Sequence, residues 1–341
     1  MSYAFNDFIA CSNQQEYLAS AFKGLDPGTI GKKTGYLDFL VSSLNEDGSF
    51  QRTLNPGSGR RRVVELVYQP RIGENDVEDG ARYDCTPGQE RGETSELYTI
   101  DPDTEGSKIT WSGKQVDLEV RCEADEFYWA RQLAYNMSAL RRKIATEAVV
   151  QSAAQFGLFE DDTIIKDVKT KSGDAWLSDG IEEVEFQFDL MQSDRPVWTF
   201  AMGDWSKYIT ATMAGCCATT NVDLGAYAVQ NNLNFMKDDS VRTELGEDQI
   251  IATIPGAVQM LRYLEYEGNT RELDQATYKQ YTVVDPVNGL TYDFNAEFKC
   301  GTWQFCLKLA YKFVTMPNDM FFTDDVLSGV KWLNNFQVVN V

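Results

Sequence analysis

Residues 290–314 read LTYDFNAEFKCGTWQFCLKLAYKFV and carry the most regular pattern of the chain. Apolar and polar side chains alternate, which is the period of a β-strand with one buried face. The apolar set is Tyr292, Phe294, Ala296 and Phe298, then Trp303, Phe305, Leu307, Leu309, Tyr311 and Phe313. Gly301-Thr302 predicts a tight turn between two long strands. Asn288-Gly289 predicts a second turn after YTVVDP (281–286), so we expect a three-stranded antiparallel meander.

Residues 125–156, DEFYWARQLAYNMSALRRKIATEAVVQSAAQF, predict the longest helix. Neither Pro nor Gly interrupts them, Asp125 can cap the start, and Gly157 can end the helix. At about 1.5 Å per residue such a helix is roughly 48 Å long. We expect it to be continuous and to pack along the hairpin. Its one-sided apolar stripe consists of Ala130, Leu133, Met137, Leu140, Ile144 and Ala148.

Shorter patterns predict the remaining elements. Predicted strands are VVELVY (63–68), KITW (108–111), QVDLEV (115–120), EVEFQFDLM (183–191) and PVWTFAMG (196–203), with a helix at GDWSKYITATMAG (203–215). Residues 71–106 hold eleven acids and three arginines. They are either a solvated, mobile loop or an arm ordered against a basic partner surface. Residues 1–60 offer two short helices and no strong core pattern, so we expect them to lie across neighbouring copies.

Composition and charge reduce the number of function classes that this chain could belong to. The net charge of −21 disfavours sequence-specific binding of nucleic acids, and the absence of histidine removes the commonest general base. The seven cysteines are odd in number and form no CxxC, which is typical of a reducing compartment. No window has eighteen uninterrupted apolar residues, and the first residues lack the pattern of a signal peptide, so we expect neither a membrane span nor a leader.

Four motifs imitate binding sites. GTIGKKTG (28–35) has the wrong spacing for a phosphate loop, and DPDTEG (101–106) has Ser112 where a calcium loop needs its bidentate Glu. Cys300 and Cys306 lie in the strand hairpin and are expected to be buried small hydrophobes rather than ligands beside Cys216-Cys217. In IIATIPGAVQMLRYLEYEG (250–268), a strand, a Pro-Gly turn and a helix could form an anion site or an ordinary fold turn. We predict no catalytic, cofactor or metal site.

Two basic runs are the remaining candidate site residues. They are Arg60, Arg61 and Arg62, and Arg141, Arg142 and Lys143, the latter within the stripe of the long helix. Each run is either a solvated surface or a contact between subunits.

The order of these parts resembles the major capsid protein of tailed bacteriophages, the Hong Kong 97-type fold. IPGAVQMLRYLEYEG (254–268) and the stretch from TVVDP to PNDMF (282–321) are similar to capsid proteins of phages of Bacteroidetes-type hosts. The resemblance implies an α+β fold with five parts. These are an N-terminal arm (1–60), an extended β-hairpin loop or E-loop (61–122), a peripheral domain (123–195) with the spine helix (125–156), an axial domain (196–285), and a long β hairpin returning to the core (286–341).

The resemblance also implies a function and partners. Hexamers and pentamers would close into an icosahedral shell around double-stranded DNA, contacted non-specifically, with scaffolding and portal proteins as partners. The shell would assemble in the host cytoplasm and become the virion capsid, with no membrane and no small-molecule substrate. Pro255-Gly256 is then a fold turn. The alternatives are another virion protein from the tail or connector, an encapsulin-like cargo shell, and, least favoured, a carboxylate-dependent enzyme. Particle shape in electron microscopy separates them.

Overall fold

The computed structural model describes residues 33–43, 50–54, 62–68, 94–124, 128–159, 162–172, 175–176, 179–190, 195–211, 233–265, 278–316 and 332–340. Within these ranges the chain is a mixed α and β protein. The helices are α1 (Gly35–Ser42), α2 (Gln115–Ala124), α3 (Tyr128–Ala153), α4 (Asp179–Leu190), α5 (residues 204–211) and α6 (Asp239–Glu244).

Fourteen strands lie in the described ranges. They are β1 (Phe50–Leu54), β2 (Arg62–Tyr68), β3 (Thr94–Ile100), β4 (Ser107–Lys114), β5 (Ile165–Ser172), β6 (Ala175–Trp176), β7 (Val197–Ala201), β8 (Leu233–Lys237), β9 (Gln249–Thr253), β10 (Val258–Tyr263), β11 (Tyr278–Val284), β12 (Thr291–Lys299), β13 (Thr302–Thr315) and β14 (Leu333–Asn340). They form a three-stranded sheet (β1-β2-β3), a five-stranded sheet and a six-stranded sheet.

The five-stranded sheet is built around β13. Its first half pairs with β12 on one edge and with β4 on the other, and its second half pairs with β10; β11 completes the predicted meander beside β12. Phe305, Leu307 and Phe313 are buried in the same core as α3. Gln151 of α3 and Gln155, two residues beyond its end, bond the backbone of Phe313 and Thr315 at 2.9–3.0 Å, which satisfies polar groups of β13. A continuous helix packed on the hairpin strand β13 is confirmed over Tyr128–Ala153, which is shorter than the predicted 125–156.

The six-stranded sheet has the order β6-β5-β14-β9-β7-β8 and collects strands from distant parts of the chain. One face packs in the core shared with α1 and α3, called here the first core. The other face packs against α4 and α5 in the second core, which contains Phe188, Trp205, Ile250 and Phe336. Consecutive residues Ile250 and Ile251 therefore enter different cores.

Two predicted strands are helices. Of the predicted strand 183–191, residues 183–190 fall in α4, and residue 191 lies outside the described residues. In α4, Ile181, Val184 and Phe188 recur at helical spacing and are buried, whereas Phe186 is 53% exposed. Residues 115–120 fall in α2, where Val116 is 68% exposed and Leu118 is buried. In both stretches the short alternation of apolar residues was compatible with either a strand or a helix. Packing against neighbouring elements determines that each is a helix.

The segment after Pro255-Gly256 was predicted to be a helix but is a strand. The turn is present, with Gly256 at φ 85°, but residues 258–263 form strand β10 instead of the expected helix. Its first four residues are buried because the strand is covered on both faces, and such a strand shows no alternation. The predicted fold turn is confirmed.

The hairpin turn lies one residue before the predicted Gly301-Thr302. Lys299 pairs with Thr302, so the two turn residues are Cys300 and Gly301, both with positive φ (50° and 77°), as two-residue hairpins favour. Cys300 is exposed, which contradicts its expected burial; Cys306 is partly buried. The long helix begins at Tyr128 and ends at Ala153; Asp125 lies outside the described residues.

The N-terminal segment differs from expectation where it is described. Tyr36, Leu37 and Leu40 of α1 are fully or almost fully buried in the first core of their own subunit, not on a neighbouring copy. Residues 1–32 lie outside the described residues. The acidic stretch 71–106 includes strand β3 (94–100), which pairs with β2; residues 69–93 are not described.

The sheets cross the predicted domain boundaries. β4, within 61–122, pairs with β13, whereas β2 and β3 pair with each other. The six-stranded sheet takes β5 from 123–195, β7 and β9 from 196–285 and β14 from 286–341. The sheets are therefore not contiguous along the sequence.

Candidate subunit interface

Only the last member of the first basic run lies in a described element. Arg60 and Arg61 lie outside the described residues, and Arg62 is the first residue of β2. The second run lies in the middle of α3, and its three side chains point in different directions around the helix axis.

Arg141 points into the subunit. Its guanidinium donates two hydrogen bonds to the carboxylate of Asp285 at 2.9 and 3.1 Å, and the two side chains are 4% and 0% exposed. Position 141 follows Met137 by four residues and therefore lies on the apolar stripe. Arg141 is thus an internal residue, and its predicted contact with another subunit is wrong for that reason.

Asp285 belongs to a small buried cluster that the sequence patterns missed. Burial raises the pKa of Asp285, and the positive charge of Arg141 opposes that rise. Asp38 of α1 lies nearby: it accepts a hydrogen bond from Asn288 at 3.1 Å and another from Thr34 at 3.1 Å, and burial raises its pKa. An arginine on an apolar stripe was a signal for a buried acidic partner, but the partner is 144 residues away in sequence.

Arg142 and Lys143 lie on the outer side of α3. The Arg142 Nε donates to the carbonyl oxygen of Ser138 at 3.3 Å, and Lys143 pairs with Glu147 at 2.6 Å. Tyr135 and Val150 are exposed on the same helix. These four residues form what we call the outer face of α3, a mixed basic and apolar surface that a neighbouring subunit could cover.

A second surface is the polar side of the five-stranded sheet, called here the open face. Its exposed or half-buried members are Lys108, Thr110 and Ser112 of β4, Gln304, Cys306 and Lys308 of β13, Asn295 and Glu297 of β12, and Gln280 and Thr282 of β11. Lys108 and Lys308 are directly opposite each other, and Lys308 pairs with Glu265. A cleft of about 180 Å³ lies between these lysines and the turn at 101–106.

Within the described ranges, no three acidic or cysteine side chains come together in a way that could hold a metal ion. The DPDTEG stretch is a turn in which Asp101 accepts from the backbone of Asp103. Among the same residues, no helix is long and apolar enough to cross a membrane.

Comparison with known proteins identifies the fold. Neither the family models nor the curated proteins include a match to this chain. Among solved structures, the capsid of cyanophage A-1(L) superposes with a TM-score of 0.53 at 8% identity, covering 89% of this chain and 92% of that chain. Mycobacterium phage Adephagia gives a TM-score of 0.43 at 10% identity (89% and 90% covered). The virus-like particle from Pyrococcus furiosus gives 0.41 at 12% identity (91% and 98% covered).

Of these three likenesses only the first has a TM-score above 0.5, so it alone supports a conclusion about the fold. The resemblance to Bacteroidetes-type phages stays a prediction. The chain has the fold of a bacteriophage capsid subunit, as the resemblance to tailed-phage capsid proteins predicted.

Proposed function

We propose that the chain is a major capsid protein whose copies assemble, as hexamers and pentamers, into an icosahedral shell enclosing double-stranded DNA. The observation that carries this proposal is the likeness to the cyanophage capsid over nine-tenths of both chains. In this assignment α3 is the spine helix, and the segment around β2 and β3 is the E-loop. Scaffolding and portal proteins are the expected partners, with assembly in the host cytoplasm. The protein acts by association and needs no cofactor.

Electrostatics limits how the copies associate. At −21 per chain, copies repel one another, so a shell needs apolar burial together with local pairing of opposite charges. Residues 71–106 carry a net charge of −8. We propose that this acidic segment lies against a basic surface of a neighbouring subunit, formed by Arg60, Arg61 and Arg62 or by Arg142 and Lys143. Exposed pairs of this kind contribute about 0.2–1 kcal/mol each, so their effect depends on repetition.

The charge pairing can be tested by salt. Raising the salt concentration should weaken assembly of the parent more than assembly of the double variant Arg142→Ala, Lys143→Ala. The matched control is Lys207→Ala with Lys299→Ala, which removes the same charge from two exposed lysines outside the outer face of α3 that are, like Lys143, paired with a carboxylate of their own subunit. The control should keep the salt sensitivity of the parent. Equal salt sensitivity of all three proteins would show that the basic surface makes no such contact.

The function itself is tested by purifying the chain expressed alone and with its neighbouring phage genes, then imaging by negative-stain electron microscopy. Closed shells support the capsid assignment, and shells that package DNA in the co-expressed sample distinguish it from an encapsulin-like cargo shell. Rings or tubes would point to a tail or connector protein. Monomers under all conditions would contradict the proposal.

A further inference from the structure

Helix α1 lies where the two larger sheets meet. It packs against α3 and against both β8 of the six-stranded sheet and β10 of the five-stranded sheet. Phe39 lies 5.3 Å from Trp198 and 5.1 Å from Phe200, centroid to centroid, and both partners belong to β7. One short helix therefore contacts elements of both sheets.

The start of α1 is bonded to the segment that follows β8. The backbone N–H of Tyr36 donates to Asp238 Oδ2 at 2.9 Å, and the N–H of Lys33 donates to Asp239 Oδ2 at 2.8 Å. Asp238 is fully buried, and its other oxygen caps α6. Contact with β8 is so close that a Cβ on Gly35 would lie 2.7 Å from the carbonyl oxygen of Lys237. This end of the helix is fixed to the six-stranded sheet.

The other contacts reach α3 and the five-stranded sheet. The Tyr36 hydroxyl and the Ser152 hydroxyl of α3 are 2.8 Å apart. Asn288, in the turn between β11 and β12, donates from Nδ2 to Asp38 Oδ1 at 3.1 Å. The Asn288 Oδ1 accepts from the backbone of Leu290 and so belongs to the turn itself. Asn288 thus couples α1 to the edge of the five-stranded sheet through one side-chain hydrogen bond.

An eight-residue helix is not stable alone in water, so these contacts, and not intrinsic propensity, hold α1 in place. The same contacts connect the two sheets, in addition to the two cores, each of which contains buried residues of both sheets. β9 of the six-stranded sheet and β10 of the five-stranded sheet are joined covalently by the turn at 254–257, which is closed by a hydrogen bond from Ala257 N to Ile254 O at 3.3 Å. The turn is also held by the N–H of Met316, which donates to Ala257 O at 2.9 Å, and by Arg195, which donates to Pro255 O at 2.9 Å. A rotation of the sheets about this turn would have to change these two bonds.

We propose that α1 is a strap that sets the angle between the two sheets, and that releasing it allows the subunit to bend about the β9–β10 turn. The proposal that α1 is a strap rests only on contacts within one subunit. A consequence for the curvature of a shell rests additionally on the proposed function.

The test is hydrogen exchange on the unassembled subunit, so that its outcome does not depend on shell formation. The main variant is Asn288→Asp, which keeps the turn acceptor for Leu290 but places a carboxylate against Asp38. A second variant, Gly35→Ala, disturbs the opposite end of the strap. In both, amides of residues 36–43 and of the turn at 254–257 should exchange about tenfold faster, the size expected for loss of one buried hydrogen bond. Amides of β12 and β13 should be unchanged.

The matched control is Thr110→Glu, which adds one negative charge to the exposed open face, and it should exchange like the parent. Faster exchange in α1 with an unchanged turn would overturn the proposal, because α1 would then be a locally packed helix without influence on the sheet angle. Unchanged exchange in both variants would overturn it as well.

Discussion

The five-stranded and six-stranded sheets differ in what covers them. The five-stranded sheet has one face in the first core and an open polar face over β4 and the first part of β13, so buried and exposed residues alternate along these strands. The six-stranded sheet is covered on both faces in its centre, and all five residues of β9 are buried. In the first sheet the cost of a substitution should therefore depend on the parity of the position, whereas in the second sheet it should not.

The largest expected effect concerns the charge pair beneath the five-stranded sheet. Arg141→Met leaves Asp285 buried without its cation, so we expect the free energy of unfolding to fall by about 3–5 kcal/mol, measured by urea denaturation. The control is the double variant Arg141→Met, Asp285→Asn, which removes the uncompensated charge and should recover a large part of the loss. If both proteins are equally destabilised, the pair does not act through charge.

Truncation in β9 and β13 tests the parity difference. In β9, both Ile250→Ala and Ile251→Ala should cost about 2–5 kcal/mol, since each side chain fills a core. In β13, Leu307→Ala should cost a similar amount, but Gln304→Ala on the open face should change stability by no more than about 0.5 kcal/mol. A mild effect at either position of β9 would break the distinction between the two sheets.

The same difference explains how much of the fold could be predicted from sequence. The meander and α3 were predictable because each has one buried side. The apolar residues of that side recur in the sequence with a period of two in the strands and close to 3.6 in the helix. β10 was mistaken for a helix because it is covered on both faces, and α4 was mistaken for a strand because Phe186 and Phe188 fell into a false alternation, although only Phe188 is buried. Local pattern did not distinguish these cases.

The candidate interface was predictable only in part, because a run of consecutive charged residues does not show which side chains point into the core and which point outward. Arg141, Arg142 and Lys143 are consecutive, but 100° of helical rotation per residue turns Arg141 inward and Lys143 outward. The partner of Arg141 and the strap position of α1 depend on contacts between residues more than 100 apart. No local pattern encodes such contacts.

The smallest expected effect lies on α4, which covers the six-stranded sheet. Burial, together with the charges of Asp189 and Glu182, raises the pKa of Glu185 from 4.5 to about 7. A raised carboxyl pKa contributes stability that is present below pH 4.5 and is lost as the pH rises through about 7. Glu185→Gln should therefore raise the melting temperature at about pH 8 by a few degrees at most, and the gain should shrink as the pH falls toward about 5.

The control for this titration is Glu244→Gln, which removes the same charge from an exposed position of α6. At about pH 8 it should change the melting temperature less than Glu185→Gln does. Identical pH profiles for the two variants would mean that α4 carries no special titrating group, and that its acidic side is ordinary solvated surface.

The most direct test of the central claim is cryo-electron microscopy of particles formed by the chain. We predict closed shells in which rings of five and six subunits each show α3 packed along β13 and β4, as in the isolated chain, with the outer face of α3 or the open face covered by a neighbouring copy. Particles without five-fold and six-fold rings, or a protein that stays monomeric at every salt and protein concentration, would contradict the assignment as a capsid subunit.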